Sequence, residues 1–149
     1  SIFASTSNEF YLAGVQWELG SQATNFEHRS YGEELTLCQR YYHEQGNYPE
    51  SPNTGYEGFF VGASFAATGV RGVMHLPTKM RTTPTFSTSG NFVLLGGSAD
   101  AVSAIALADG GGNPAVALNV TTGSTTAGEA FELRSNNDQD ARVQFDAEL

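Results

Sequence analysis

One cysteine, Cys38, stands in a chain of 149 residues, so no internal disulfide framework exists and stability must come from packing or from association. No apolar run approaches the roughly 18 residues a spanning helix needs, and the N-terminus lacks the basic-then-apolar order of a signal peptide. No membrane partner is expected. Basic residues are also scarce: seven Lys plus Arg against sixteen Asp plus Glu give a net charge of -9. That balance repels a phosphate backbone, so nucleic acid is not expected as a partner either. Charged residues make up only 15% of the chain and hydrophobic ones 40%, which excludes a disordered polyelectrolyte and a charged helical rod. The length fits one domain burying roughly 68–70% of its unfolded surface.

Chemistry-bearing motifs are equally sparse. Nucleophilic catalysis needs a Ser or Cys, a His base and an orienting acid. The three histidines, His28, His43 and His75, lie in no recognisable elbow or box. There is no Gly-x-Ser-x-Gly, no His-x-x-x-His, no Cys pair and no EF-hand loop. Asn136-Asn137-Asp138-Gln139-Asp140 places several oxygens on one loop, where Asp138 and Asp140 suit either a calcium ion or, more simply, a hydrogen-bonded turn. Asp109-Gly110-Gly111-Gly112-Asn113-Pro114 leads into a strand instead of a helix, so it reads as a hairpin loop and not as a phosphate cradle. No catalytic residue, metal or cofactor is expected.

What the chain does have is glycine, seventeen of them, and five prolines between short β-branched, aromatic and apolar runs. That spacing predicts many strands joined by turns. Candidates are Phe59–Ala66, Val70–Leu76, Thr83–Phe86, Phe92–Leu95, Val102–Ala108, Ala115–Val120, Phe131–Leu133 and Arg142–Asp146. In the last, Val143 and Phe145 alternate with Arg142, Gln144 and Asp146, which sets a core face against a wet face. Phe59-Phe60-Val61 and Val93-Leu94-Leu95 are apolar on both faces, as in strands that are central or covered by another subunit. One short helix of about three turns is expected over 33–42, with Glu33 and Glu34 at its positive end. Its stripe of Leu35, Leu37, Cys38 and Tyr42 is expected to be buried, with Leu35→Ala or Leu37→Ala costing about 2–5 kcal/mol. The fold expected is mainly β: an antiparallel sandwich or jelly roll with one short N-terminal helix and an extended N-terminal arm.

Charge falls in blocks. Residues 1–57 carry eight acids and two bases, 58–99 no acid and three bases (Arg71, Lys79, Arg81), and 100–149 again eight acids and two bases. The positive middle third is a candidate contact with an acidic surface of a neighbour. Aromatics crowd the first sixty residues, and the Pro/Gly-rich loop over 45–55 places Tyr48 and Tyr56 where their rings can meet a glycan or a protein.

Gly14-Val15-Gln16-Trp17-Glu18-Leu19-Gly20, then Ala23-Thr24-Asn25-Phe26-Glu27-His28-Arg29-Ser30-Tyr31-Gly32-Glu33-Glu34-Leu35-Thr36-Leu37-Cys38-Gln39-Arg40-Tyr41-Tyr42, resembles a module of bacteriophage tail-fibre and other virion-surface proteins. Lys79-Met80-Arg81-Thr82-Thr83-Pro84-Thr85 and Phe145-Asp146-Ala147-Glu148-Leu149 are similar to further stretches of that C-terminal module. Two departures stand out: Asn25 replaces the family's usual Pro, and no carbohydrate-binding-like jelly roll precedes residue 10. The resemblance implies that residues 1–29 are an arm left from such a domain and that 30–149 form a helix plus a β-sandwich. With Ser1 in place of Met, a fragment or a processed product is expected. The arm's Phe10, Leu12, Val15 and Trp17 would then lie against another chain.

The resemblance implies a non-enzymatic virion structural protein, a homotrimer at the virion surface acting as tail fibre or capsid decoration. Its partners would be itself, a capsid or fibre protein, and host surface glycans. The alternative is a carbohydrate-binding module of a secreted glycan-active enzyme. That reading needs a row of exposed aromatics on one sheet face, and after residue 92 only Phe131 and Phe145 are aromatic.

Overall fold

The structure is a computed structural model that describes residues 11–46, 56–109 and 113–148. Period-two alternation makes its strands. Between Ala115 and Thr122, Val116, Leu118 and Val120 are buried while Ala117 and Asn119 are only half-buried and Thr121 is exposed. The elements run α1 (Tyr31–Gln39), β1 (Tyr42–Gly46), β2 (Gly58–Ala66), β3 (Gly69–His75), β4 (Thr85–Ser89), β5 (Phe92–Leu95), β6 (Ala99–Asp109), β7 (Ala115–Thr122), β8 (Ala130–Ser135) and β9 (Arg142–Asp146). All eight expected strands are present within a few residues. The ninth, β1, escaped the sequence pattern because Tyr42-His43-Glu44-Gln45-Gly46 has no apolar alternation.

Every pairing is antiparallel. Six strands close into a barrel in the order β2-β3-β7-β6-β5-β8, and three form a separate sheet, β1-β9-β4. The chain is thus mainly β, as expected, but a closed barrel beside a small sheet stands where a sandwich or jelly roll was anticipated. Closure requires strands that bend. Register shifts at Gly58/Phe60 and Ser64/Ala66 in β2, and at Val102/Ala104 and Leu107/Asp109 in β6, supply the bends. Gly72 contributes by its missing side chain: a Cβ there would run into the ring of Phe60, which lies across β3.

The sheet does not stand apart from the barrel, because its Val143 and Phe145 belong to the same buried cluster as Val70, Leu94, Leu118 and Leu133 of the barrel. Val143 and Phe145 are fully buried while Arg142 and Gln144 are half-buried and Asp146 is exposed, so the alternation expected of this strand is the one observed. Phe145 lies between two cross-strand partners, His43 and Phe86, with ring centroids at 6.4 and 5.1 Å.

The helix departs from expectation. It starts earlier, at a capping box in which the Ser30 hydroxyl accepts from the Glu33 N–H and the Glu33 carboxylate accepts from the Ser30 N–H at 2.9 Å. It ends at Gln39, because the Arg40 and Tyr41 carbonyls are claimed by the Arg81 N–H at 2.8 Å and the Ala147 N–H at 2.7 Å. Tyr42 therefore lies on β1. Leu35, Leu37 and Cys38 are exposed, and no residue of α1 is buried. Among the described residues none covers the apolar stripe of this nine-residue helix, whose nearest packing is on β1. Within a single chain, the cost expected for truncating a buried leucine does not apply to Leu35, 41% exposed.

Phe145→Ala is expected to cost about 3–5 kcal/mol, since it empties the junction of sheet and barrel. Urea unfolding followed by circular dichroism measures it, and a loss below about 1 kcal/mol would show that the sheet is not anchored there.

Candidate functional site

The three stretches that carry the phage resemblance meet at one end of the small sheet. Besides the two backbone bonds that hold Arg40 and Tyr41, the Arg81 guanidinium lies 5.5 Å from the centroid of the Tyr41 ring, and Met80 is buried beside it in the chain. Tyr42 and Thr85 both face Asp146 across the ladder. Arg81, singled out as a partner contact, thus also secures the exit of the helix. Lys79, two residues earlier, is exposed.

The outer side of this sheet carries a polar network. Glu44 accepts from the Tyr42 hydroxyl at 2.6 Å and the Gln144 amide at 2.8 Å, and lies 3.3 Å from the Arg142 guanidinium. The Ser87 hydroxyl donates to the Gln144 carbonyl oxygen at 3.1 Å. Gln144 first, then Tyr42 and the Arg142 charge, hold the Glu44 carboxyl below the usual carboxylate range. The same contact raises the Tyr42 phenol. His43, on the inner side, has its imidazole pushed below the ordinary histidine range by burial. Burial acts oppositely on Glu57, raising its carboxyl at the entry to β2.

Two surfaces are left bare. The first is the segment before the helix. Residues 11–30 contain no helix or strand and are all exposed, including Leu12, Val15, Trp17 at 95% and Leu19. Part of it is shaped by its own hydrogen bonds: the Gln16 side-chain oxygen accepts from the Glu27 N–H at 2.8 Å, and Glu18 accepts from the N–H and hydroxyl of Thr24. These bonds hold Glu18 low, and they frame an open cleft of about 850 Å³ lined by Val15, Trp17, Phe26 and His28 among others. The Phe26 and His28 rings meet edge to face at 4.8 Å.

The second surface is the outside of the barrel. Val61, Phe65 and Val73 are 70%, 59% and 51% exposed. Arg71 faces Asn119 across the β3–β7 ladder, donates to its side chain at 2.8 Å, and lies 5.5 Å over the Phe65 ring. The positive residue flagged by the charge blocks therefore sits in an apolar field. Val61 was visible in the sequence as the third member of a run apolar on both faces. Phe65 and Val73 were missed, although period two puts 61, 63 and 65 on one face of β2, and 71 and 73 on one face of β3.

The other expected residues are dispersed. Phe10 and Tyr48 lie outside the described residues. Tyr56 is half-exposed, with the Arg134 guanidinium 4.8 Å from its ring centroid. His28, His43 and His75 stand on separate elements, and among the described residues no group of three His, Cys, Asp or Glu gathers as metal ligands do. The Asp138 carboxylate accepts from the Asn91 N–H and amide and from the Asp140 N–H, which is turn geometry. Compared with protein-family models, with curated proteins and with solved structures, the chain matches none.

Glu44 gives a pH test. Because its folded pKa is lowered, its contribution is complete above the ordinary carboxylate range and is lost as pH falls through the folded value. Glu57, raised by burial, acts in the opposite sense: its contribution is present below the ordinary range and is lost as pH rises through the folded value. Glu44→Gln is expected to flatten the acid side of a stability-against-pH curve, measured by urea unfolding at a series of pH values. An unchanged slope would show that the network does not titrate with folding.

Proposed function

We propose that this chain is a non-enzymatic structural module of a bacteriophage particle, a homotrimer at the virion surface that stabilises the particle, binds the host surface, or does both. The observation that carries the reading is the amount of apolar surface left uncovered in a single chain: the segment before the helix, the helix stripe and the outer barrel face. Soluble monomers rarely leave large contiguous apolar surface bare, and cyclic symmetry covers it economically. The phage resemblance supplies the setting, and three of its stretches meet at the Arg40–Arg81–Ala147 junction. Capsid or fibre proteins are the further partners of this reading. Residues 1–29 acting as an arm left from an upstream jelly roll belong to the same proposal. The glycan-binding alternative gains no comparable support, since among the described residues exposed aromatics on strands are confined to Tyr42 on β1 and Phe65 on β2.

Light scattering on the full chain at micromolar concentration is expected to give about three times 15.9 kDa. A monomer overturns the proposal. Deleting residues 1–20 is expected to leave a folded module that no longer trimerises or attaches to particles, whereas unchanged assembly removes the arm from it.

A further inference from the structure

We infer that the outer face of β2, β3 and β7 is the docking surface for the Tyr11–Leu19 segment of a second copy of this chain; the inference rests on the homotrimer reading and names the contact that builds it.

The face is largely apolar. Val61, Phe65 and Val73 project from it, Ala63 lies between Val61 and Phe65 on β2, Ala117 lies opposite Val73 on β7, and Arg71 is the cation at its centre, held by Asn119 and Phe65. Because the barrel is closed, these strands have no free edge. An incoming segment cannot add as a further strand there and must be held by side chains.

The same chain contains a segment that fits those terms. Leu12, Val15, Trp17 and Leu19 are 66–102% exposed within nine residues. Extended at about 3.3 Å per residue, Tyr11–Leu19 reaches about 30 Å, enough to cross the neighbouring strands, which lie about 4.8 Å apart. Charge agrees. Tyr11–Leu19 carries one acid, Glu18, and no base, while β2, β3 and β7 carry one base, Arg71, and no acid.

The occupant is another copy because Leu12, Val15, Trp17 and Leu19 are exposed in the same chain as Val61, Phe65 and Val73, so these side chains do not cover their own barrel. In a ring of three, each copy gives its segment to one neighbour and its face to the other, and the arrangement closes.

Trp17 is the single tryptophan, so its fluorescence in the full chain reports the segment alone. At trimer-forming concentration its emission is expected to be blue-shifted and shielded from acrylamide. Val73→Glu and, separately, Val61→Glu are each expected to return the emission to that of a water-exposed indole and to raise quenching severalfold. Both side chains are more than half exposed, and far-UV circular dichroism checks that the barrel is intact. As an independent measurement, a Cys38→Ser, Trp17→Cys chain mixed with a Cys38→Ser, Val73→Cys chain is expected to form an intermolecular disulfide. A trimer whose Trp17 stays shielded in both glutamate variants, with no disulfide formed, overturns this inference and leaves the homotrimer standing. Shielding that is independent of concentration in a monomer places the segment on its own barrel and overturns it as well. A monomer with exposed Trp17 overturns both.

Discussion

Among the described residues neither β1 nor β4 has a ladder partner other than β9, so one five-residue strand running between them holds the small sheet together. Its two faces do different work. Inward, Phe145 is flanked across the ladder by His43 and Phe86 and reaches the barrel core; outward, Gln144 is flanked by Glu44 and Ser87 and completes a hydrogen-bonded row. The helix depends on the same strand at one remove, since the Ala147 N–H fixes Tyr41 and so decides where the helical turn stops. Burial of the aromatic row supplies most of the adhesion, and the polar row fixes the register, because a slip of one residue exchanges the two faces.

The barrel is self-sufficient by contrast. Its strands satisfy one another around a ring, and the buried polar side chains Ser64, Thr122 and Ser135 are hydrogen-bonded, while on β8 the Arg134 Nε is buried without a hydrogen-bond partner. What it does not satisfy is its exterior. Val61, Phe65 and Val73 cost solvation free energy for as long as they face water, and so does the exposed stripe of α1. One buried core and several bare apolar surfaces stand together in this chain, the combination on which the trimer proposal rests.

Much of the strand content was legible in the sequence, because Phe92–Leu95 and Arg142–Asp146 carry strong local patterns between turn residues and their limits matched the structure. Barrel closure was not legible. It depends on β2 and β5 both pairing with β8, contacts between distant residues whose register no local periodicity announces. The helix stripe misled for a related reason: i, i+3 spacing shows which side chains share a face but not whether anything covers that face. Tyr42 completed the stripe only on paper, since tertiary bonds to Arg40 and Tyr41 end the helix before it. Of the candidate site, Arg71 was accessible from the charge blocks and Leu12, Val15 and Trp17 from the phage resemblance, whereas Phe65 and Val73 became visible only once β2 and β3 were seen to be neighbours on a convex wall.

Closure of the barrel also has an evolutionary consequence. Backbone ladders are indifferent to sequence, so a protein that associates through open strand edges accepts many partners and changes its choice slowly. Here six of the nine strands offer no such edge, and the two outer strands of the small sheet are five residues long. In the proposed trimer, recognition would therefore be written in side chains that the interior does not need. Residues such as Val61, Phe65 and Arg71 would be free to drift one at a time, redirecting what the surface binds while the scaffold beneath keeps its shape.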